Sequence, residues 1–67
     1  MISLVINGRD VRLDSQTTIL EFLVFKVLKP QAVVVERNGE IVPRERYGDV
    51  VLDEGDTVEI VQMMAGG

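Results

Sequence analysis

ISLVINGRDVRLD, residues 2–14, holds two runs of alternating side chains around an Asn-Gly pair. Ile2, Leu4 and Ile6 alternate with Ser3, Val5 and Asn7, and a period of two puts the first three on one buried face of a sheet. Asn7-Gly8 is the pair best able to adopt the positive φ of a tight hairpin. Val11 and Leu13 then alternate with Asp10, Arg12 and Asp14, so the chain returns as a half-solvated strand. The segment therefore predicts a β-hairpin at the start of the fold.

A helix follows. Thr18-Ile19-Leu20-Glu21 matches a capping box, in which the Thr hydroxyl accepts from the third helical N–H and the Glu carboxylate accepts from the cap's own N–H. Pro30 requires the helix to stop by Lys29, because proline disfavours helical geometry in the residue before it. Ile19, Leu20, Leu23, Val24, Val27 and Leu28 form one broad apolar arc, the expected core face, with Phe22 and Phe25 interleaved among Glu21, Lys26 and Lys29 on the other side. One phenylalanine is expected at the edge, covered by lysine stems and the sheet rim rather than by a partner groove.

Residues 32–36 read as a Val-rich strand, Asn38-Gly39 as a second hairpin turn, and Ile41-Val42 as a short edge strand ended by Pro43. Arg44 to Gly48 reads as a turn or one helical turn before Val50, Val51 and Leu52 return to the core. Asp53-Glu54-Gly55-Asp56 is a turn whose carboxylates cap it, since they lack the spacing and bidentate Glu of a calcium loop. Residues 57–63 form the last strand, with Val58 and Ile60 on one face and Glu59, Val61 and Met63 on the other. Strand, strand, helix and further strands make an α+β, β-grasp (ubiquitin-like) fold: a mixed sheet of four to five strands with one helix on one face. The first and last strands are the most apolar and are expected side by side in the centre. That arrangement groups Val5, Val61 and Met63 on the open face as a candidate docking patch. The expected division is a body, residues 1–63, and a flexible tail, residues 64–67.

Composition limits the chemistry. Sixty-seven residues make one small domain, which must hold itself together by packing because the chain has no cysteine. The same lack rules out a thiol nucleophile or a persulfide carrier, and the absence of histidine removes the commonest general acid/base and metal ligand. With 7 Lys+Arg against 11 Asp+Glu, a net charge of −4 and no basic cluster, nucleic acid is not an expected partner. MISLVING lacks a basic n-region, and no apolar run approaches the roughly 20 residues of a membrane span, so a cytoplasmic location and no membrane partner are expected. Arg37, Arg44 and Arg46 either keep a face solvated or pair with acidic groups on a partner; Arg44 is the candidate for docking.

What remains is the end, MMAGG. Two terminal glycines arise by chance in roughly one chain in two hundred, but here they follow a strong strand after only Met64 and Ala65. A carboxylate is a poor electrophile and exchanges an oxygen only after conversion to something with a good leaving group, such as an acyl adenylate. The tail must then reach into a buried ATP site, and Gly66 and Gly67 can pass a narrow channel that a Cβ would block. Ordering a four-residue tail costs ~4–8 kcal/mol of backbone entropy, which contacts of the folded body must offset.

The layout, Ile41-Val42-Pro43-Arg44-Glu45 with Tyr47 close behind, Asp53-Glu54-Gly55-Asp56 before the last strand, and Ala65-Gly66-Gly67 at the end together resemble the ThiS family of sulfur carriers of thiamin biosynthesis, over the whole chain. The resemblance implies that a ThiF-type adenylating enzyme activates Gly67 with ATP, which the partner consumes and the carrier does not hold as a bound cofactor. It implies further that sulfur from a desulfurase pathway replaces the activated oxygen, and that the thiocarboxylate supplies thiazole formation on thiazole synthase. Met64, Ala65 and Gly66 would thread the partner's channel, and no side chain of the carrier would be catalytic. Val24 and Phe25 are apolar where a monomeric relative is expected to have a solvated helix flank, which leaves association through them open. The alternatives are the small subunit of molybdopterin synthase, a β-grasp interaction module with an inert end, and a ubiquitin-like modifier.

Overall fold

In the computed structural model, which describes residues 1–63, β1 (Ile2–Ile6) and β2 (Arg9–Leu13) form the first hairpin. Their register runs from Ile2 opposite Leu13 to Ile6 opposite Arg9. Asn7 and Gly8 turn the chain with φ of 52° and 78°, the left-handed pair that matches the twist of the two strands. β3 (Val33–Arg37) and β4 (Glu40–Val42) repeat the device across Asn38-Gly39, and β5 (Thr57–Gln62) completes a sheet in the order β2-β1-β5-β3-β4. β1 and β5 are parallel and the other neighbours antiparallel, so the sheet is mixed and its centre is made by the first and last strands, as the apolar patterning predicts.

Both asparagines reach beyond their own turns to β5. Asn7 accepts from the Ile60 N–H at 2.8 Å and donates to its carbonyl at 3.2 Å, extending the short parallel ladder by a side chain. Asn38 accepts from the Thr57 N–H at 2.9 Å. The last strand is thus held on both sides along most of its length.

α1 (Ile19–Phe25) starts at the predicted capping box: Thr18 Oγ1 accepts from the Glu21 N–H at 3.0 Å, and Glu21 Oε1 accepts from the Thr18 N–H at 2.9 Å. The N–H groups of Ile19 and Leu20 donate to the carbonyls of Val50 and Tyr47, so the 47–50 segment satisfies the rest of the first turn. A helix of seven residues is marginal alone. Burial of Ile19, Phe22 and Leu23 against Leu4, Ile6, Val33, Val35, Leu52 and Val58 holds it on the sheet.

The helix stops within the limit that Pro30 sets, but its expected core face is corrected. It ends at Phe25, well before Pro30, in a Schellman turn: Val27 N–H donates to the Val24 carbonyl and Leu28 N–H to that of Leu23, with Val27 at φ 60°. The core face is the stripe through Ile19, Phe22 and Leu23, so Phe22 is buried while Val24, Phe25 and Val27 are exposed. Both sides of this helix are apolar, and its periodicity alone does not choose between them. The choice is made by docking on the sheet, where the 22/23 ridge packs into the core. Of the two phenylalanines it is Phe25 that lies outside, with Lys26 Nζ 5.8 Å from both ring centres.

β4 is the edge strand that Pro43 predicts, followed by a single 3-10 turn, Arg44–Arg46. No helix among the described residues is long and apolar enough to cross a membrane.

Candidate functional site

β5 leads to the chain end, and its two faces differ. Val58 is buried against α1 and Ile60 partly so, whereas Thr57, Glu59, Val61 and Met63 are exposed on the open face. Beyond the strand, the Met63 N–H donates to the Ala32 carbonyl at 2.8 Å, adding one more rung to the β3 side. Next to that rung, Arg44 Nη2 donates to the Gln31 carbonyl at 3.2 Å. Arg44 and Met63 therefore bond the successive carbonyls of Gln31 and Ala32 just past the end of β5, with Val61 one step back opposite Val34.

Val5 does not join them. It is on the same face, but it stands level with Thr57, four residues and roughly 13 Å of strand from Val61. Parallel pairing in the centre separates what adjacency of β1 and β5 alone would unite, and the patch at the end of β5 is completed by Val34 and Ile41 instead. The predicted tail residues Met64, Ala65, Gly66 and Gly67 lie outside the described residues.

The acidic turn before β5 has a structural role. Glu54 Oε1 accepts from the Ser3 N–H at 2.9 Å, and Asp53 Oδ1 accepts from the Glu54 N–H at 2.7 Å. Asp56 is buried: its Oδ2 accepts from Arg37 Nε at 2.8 Å and from the Asp53 N–H at 2.9 Å, and its Oδ1 from Asn38 Nδ2 at 3.0 Å. Burial alone would raise the Asp56 pKa, but the hydrogen bonds from Arg37, Asn38 and the Asp53 backbone, with the Arg37 charge, together hold it below the ordinary carboxylate value. Arg37 is therefore an internal partner, and among the described residues no three acidic side chains are gathered to hold a metal ion. Sequence patterning treats Asp56 as a turn residue; its reach to Arg37 depends on a β3–β5 register that no local signal reveals.

The Val-Pro-Arg-Glu segment and Tyr47 also turn out to be architecture. Val42 and Tyr47 are buried, Tyr47 Oη donates to the Val33 carbonyl at 3.4 Å, and Pro43 closes the edge strand. Among the described residues nothing assembles a nucleophile with a base.

A β-grasp body that holds its last strand at the sheet centre, with a Gly-Gly sequence beyond it, has the form of a carrier-type or modifier-type protein. The ThiS family profile matches residues 4–67. The sulfur carrier protein ThiS of Bacillus subtilis is 43% identical over 63 residues, covering 92% of this chain and 96% of that protein. A thiazole synthase of Paramagnetospirillum magneticum is 39% identical over 64 residues, covering 96% of this chain, while the chain spans only 20% of that protein's length. The crystal structure of the thiamine biosynthesis protein ThiS from Geobacter metallireducens superposes with a TM-score of 0.80 at 33% identity, covering 98% of this chain and 100% of that one. The chain belongs to the ThiS family of sulfur carrier proteins: a carrier, not a catalyst.

Proposed function

We propose that this chain carries sulfur for thiazole formation in thiamin biosynthesis as a thiocarboxylate on Gly67. The Gly67 carboxylate attacks the α-phosphorus of ATP in an adenylating enzyme of the ThiF type, releasing pyrophosphate. Persulfide sulfur from a desulfurase, brought to the sulfide level by a two-electron thiol reductant, then displaces AMP, and the thiocarboxylate gives up its sulfur at thiazole synthase. ATP belongs to the adenylating partner, and Met64, Ala65 and Gly66 thread its channel. The body docks through the sheet end carrying Val61, Met63 and Arg44, with Val5 at the far side of the same face. Such chemistry among biosynthetic enzymes fits a cytoplasmic location.

The observation that carries this proposal is the pairing of a chain without cysteine with a central strand, β5, whose sequence continues into Gly66-Gly67. Sulfur cannot be held here on a side-chain thiolate, and a terminal acyl group is the remaining place for it. A thiazole synthase in which one fifth of the length resembles this chain supports coupling of carrier and acceptor.

Intact-mass measurement after incubation with the adenylating enzyme, ATP and a sulfur source tests it. Replacement of one oxygen by sulfur is expected; an unchanged mass points to an inert module, and lysine conjugates to a modifier. Deletion of Gly67 is expected to abolish the mass change and leave the melting temperature unaltered, because the core lies between Leu4 and Val58.

A further inference from the structure

Asn7-Gly8 and Asn38-Gly39 hold β5 by the same device from its two sides. The Asn7 N–H donates to the Val58 carbonyl at 2.9 Å, its Oδ1 accepts from the Ile60 N–H at 2.8 Å, and its Nδ2 donates to the Ile60 carbonyl at 3.2 Å. The Asn38 N–H donates to the Thr57 carbonyl at 2.7 Å, its Oδ1 accepts from the Thr57 N–H at 2.9 Å, and its Nδ2 donates to Asp56 Oδ1 at 3.0 Å. The two differ in that last bond. Asn38 gives its amide hydrogen to a buried carboxylate that is tied to Arg37, whereas Asn7 gives its own to a neutral carbonyl, at an exposed position and over a longer distance. Hydrogen bonds to ionised groups are roughly twice as strong as those between neutral ones. The carboxamide of Asn7 is therefore the more readily released.

Asparagine is a labile side chain, most of all before glycine, where no Cβ hinders attack by the next backbone nitrogen. We propose that Asn7 is a site of spontaneous deamidation in the folded chain, and that Asn38, with the same neighbour, converts more slowly because Asp56 holds it. The Gly8 nitrogen attacks Asn7 Cγ: the N–Cγ bond forms, the Cγ–Nδ2 bond breaks, and the proton of the Gly8 N–H leaves with the amide as ammonia. Water then opens the cyclic imide at one of its two carbonyls, giving aspartate or isoaspartate, with no oxidation or reduction. The conversion needs no partner. Attack requires Cγ to turn toward the Gly8 nitrogen, which breaks both bonds to Ile60, so the rate follows the fraction of turns that are open. The product cannot restore the closed turn. β1 pairs with β5 directly only at Val5–Thr57 and Ile6–Val58, and the Asn7 side chain supplies the next rung. A carboxylate has no hydrogen for the Ile60 carbonyl, and isoaspartate adds a backbone carbon to a turn set at φ of 52° and 78°. Deamidation thus loosens β5 from β1 on the half of the strand that precedes the Gly-Gly sequence.

The test is prolonged incubation of the full chain at neutral pH, with and without denaturing urea. Peptide mapping by mass spectrometry reads each asparagine by the gain of one mass unit, and electron-transfer fragmentation separates aspartate from isoaspartate. In the folded chain Asn7 is expected to convert about tenfold faster than Asn38, and in urea the two should convert at comparable rates. Comparable rates in the folded chain, faster conversion at Asn38, or no conversion at Asn7 in the time that urea converts both overturns the inference. A tenfold bias that persists in urea overturns it as well, because the preference then comes from neighbouring residues and not from β5. Asn7→Asp supplies the charge of the product and tests the consequence. Exchange of the Ile60 amide, followed by NMR, is expected to quicken about tenfold relative to the Thr57 amide, which Asn38 holds. An equal rise at both amides, or a rise at neither, overturns the loosening of β5 from β1.

Discussion

Asp56→Asn is the most informative single change to the body. The substitution keeps shape and removes one acceptor. In the native turn the two carboxylate oxygens take three donors: Arg37 Nε and the Asp53 N–H on Oδ2, and Asn38 Nδ2 on Oδ1. An amide has a single oxygen, so one orientation sets its NH2 against Arg37 and Asp53, and the other against Asn38. Asn38 cannot flip to help, because its oxygen already accepts from the Thr57 N–H. Losing at least one charge-assisted bond and the Arg37 attraction costs about 2–4 kcal/mol. At about 0.05–0.15 kcal/mol per residue the whole domain has roughly 3–10 kcal/mol to lose, so the melting temperature should fall by roughly 10–30 °C.

Acid provides the second half of the test. The folded-state pKa of Asp56 lies below its unfolded value, near 3.9, so its contribution is fully present above that pH and is lost as pH falls through the folded value. Protonating the wild type then does what the amide does. Urea titrations followed by circular dichroism should show a wide gap between wild type and variant at pH 7 that narrows below about pH 4. A gap under about 0.5 kcal/mol at pH 7, within the range of ordinary surface substitutions, or one of equal width at pH 2.5 and 7, would refute the role assigned to this carboxylate.

Val27→Gly should stabilise the chain. Val27 holds φ 60° while 89% exposed, a conformation that costs a side chain about 1–2 kcal/mol; glycine removes that and returns about 0.5–1 kcal/mol as unfolded-state entropy. A higher urea midpoint with unchanged slope is expected, and a lower one would contradict the Schellman turn. Thr18→Ala should cost about 1 kcal/mol by removing the capping box, seen as a drop of roughly 4–8 °C in the melting temperature.

Sequence patterning captured those features that a few neighbouring residues determine. Asn7-Gly8 and Asn38-Gly39 mark both hairpins, Thr18 and Glu21 mark the helix start, and Pro43 marks the edge. The features it missed depend on register between distant strands. Separation of Val5 from Val61 and burial of Asp56 against Arg37 both follow from how β5 slides between β1 and β3, a choice made by the whole core. The helix face belongs to the same group, since Val24 and Val27 are as apolar as Ile19 and Leu23 and only docking on the sheet separates them.

The strand at the middle of the sheet is also the last of the described elements to be translated. Until it leaves the ribosome, β1 and β3 have no common neighbour, and the hydrophobic side of α1 has only half a sheet to cover. A nascent chain stopped short of β5 would therefore be unfolded substrate for cellular proteases, and would not survive as a compact decoy competing for the same enzymes.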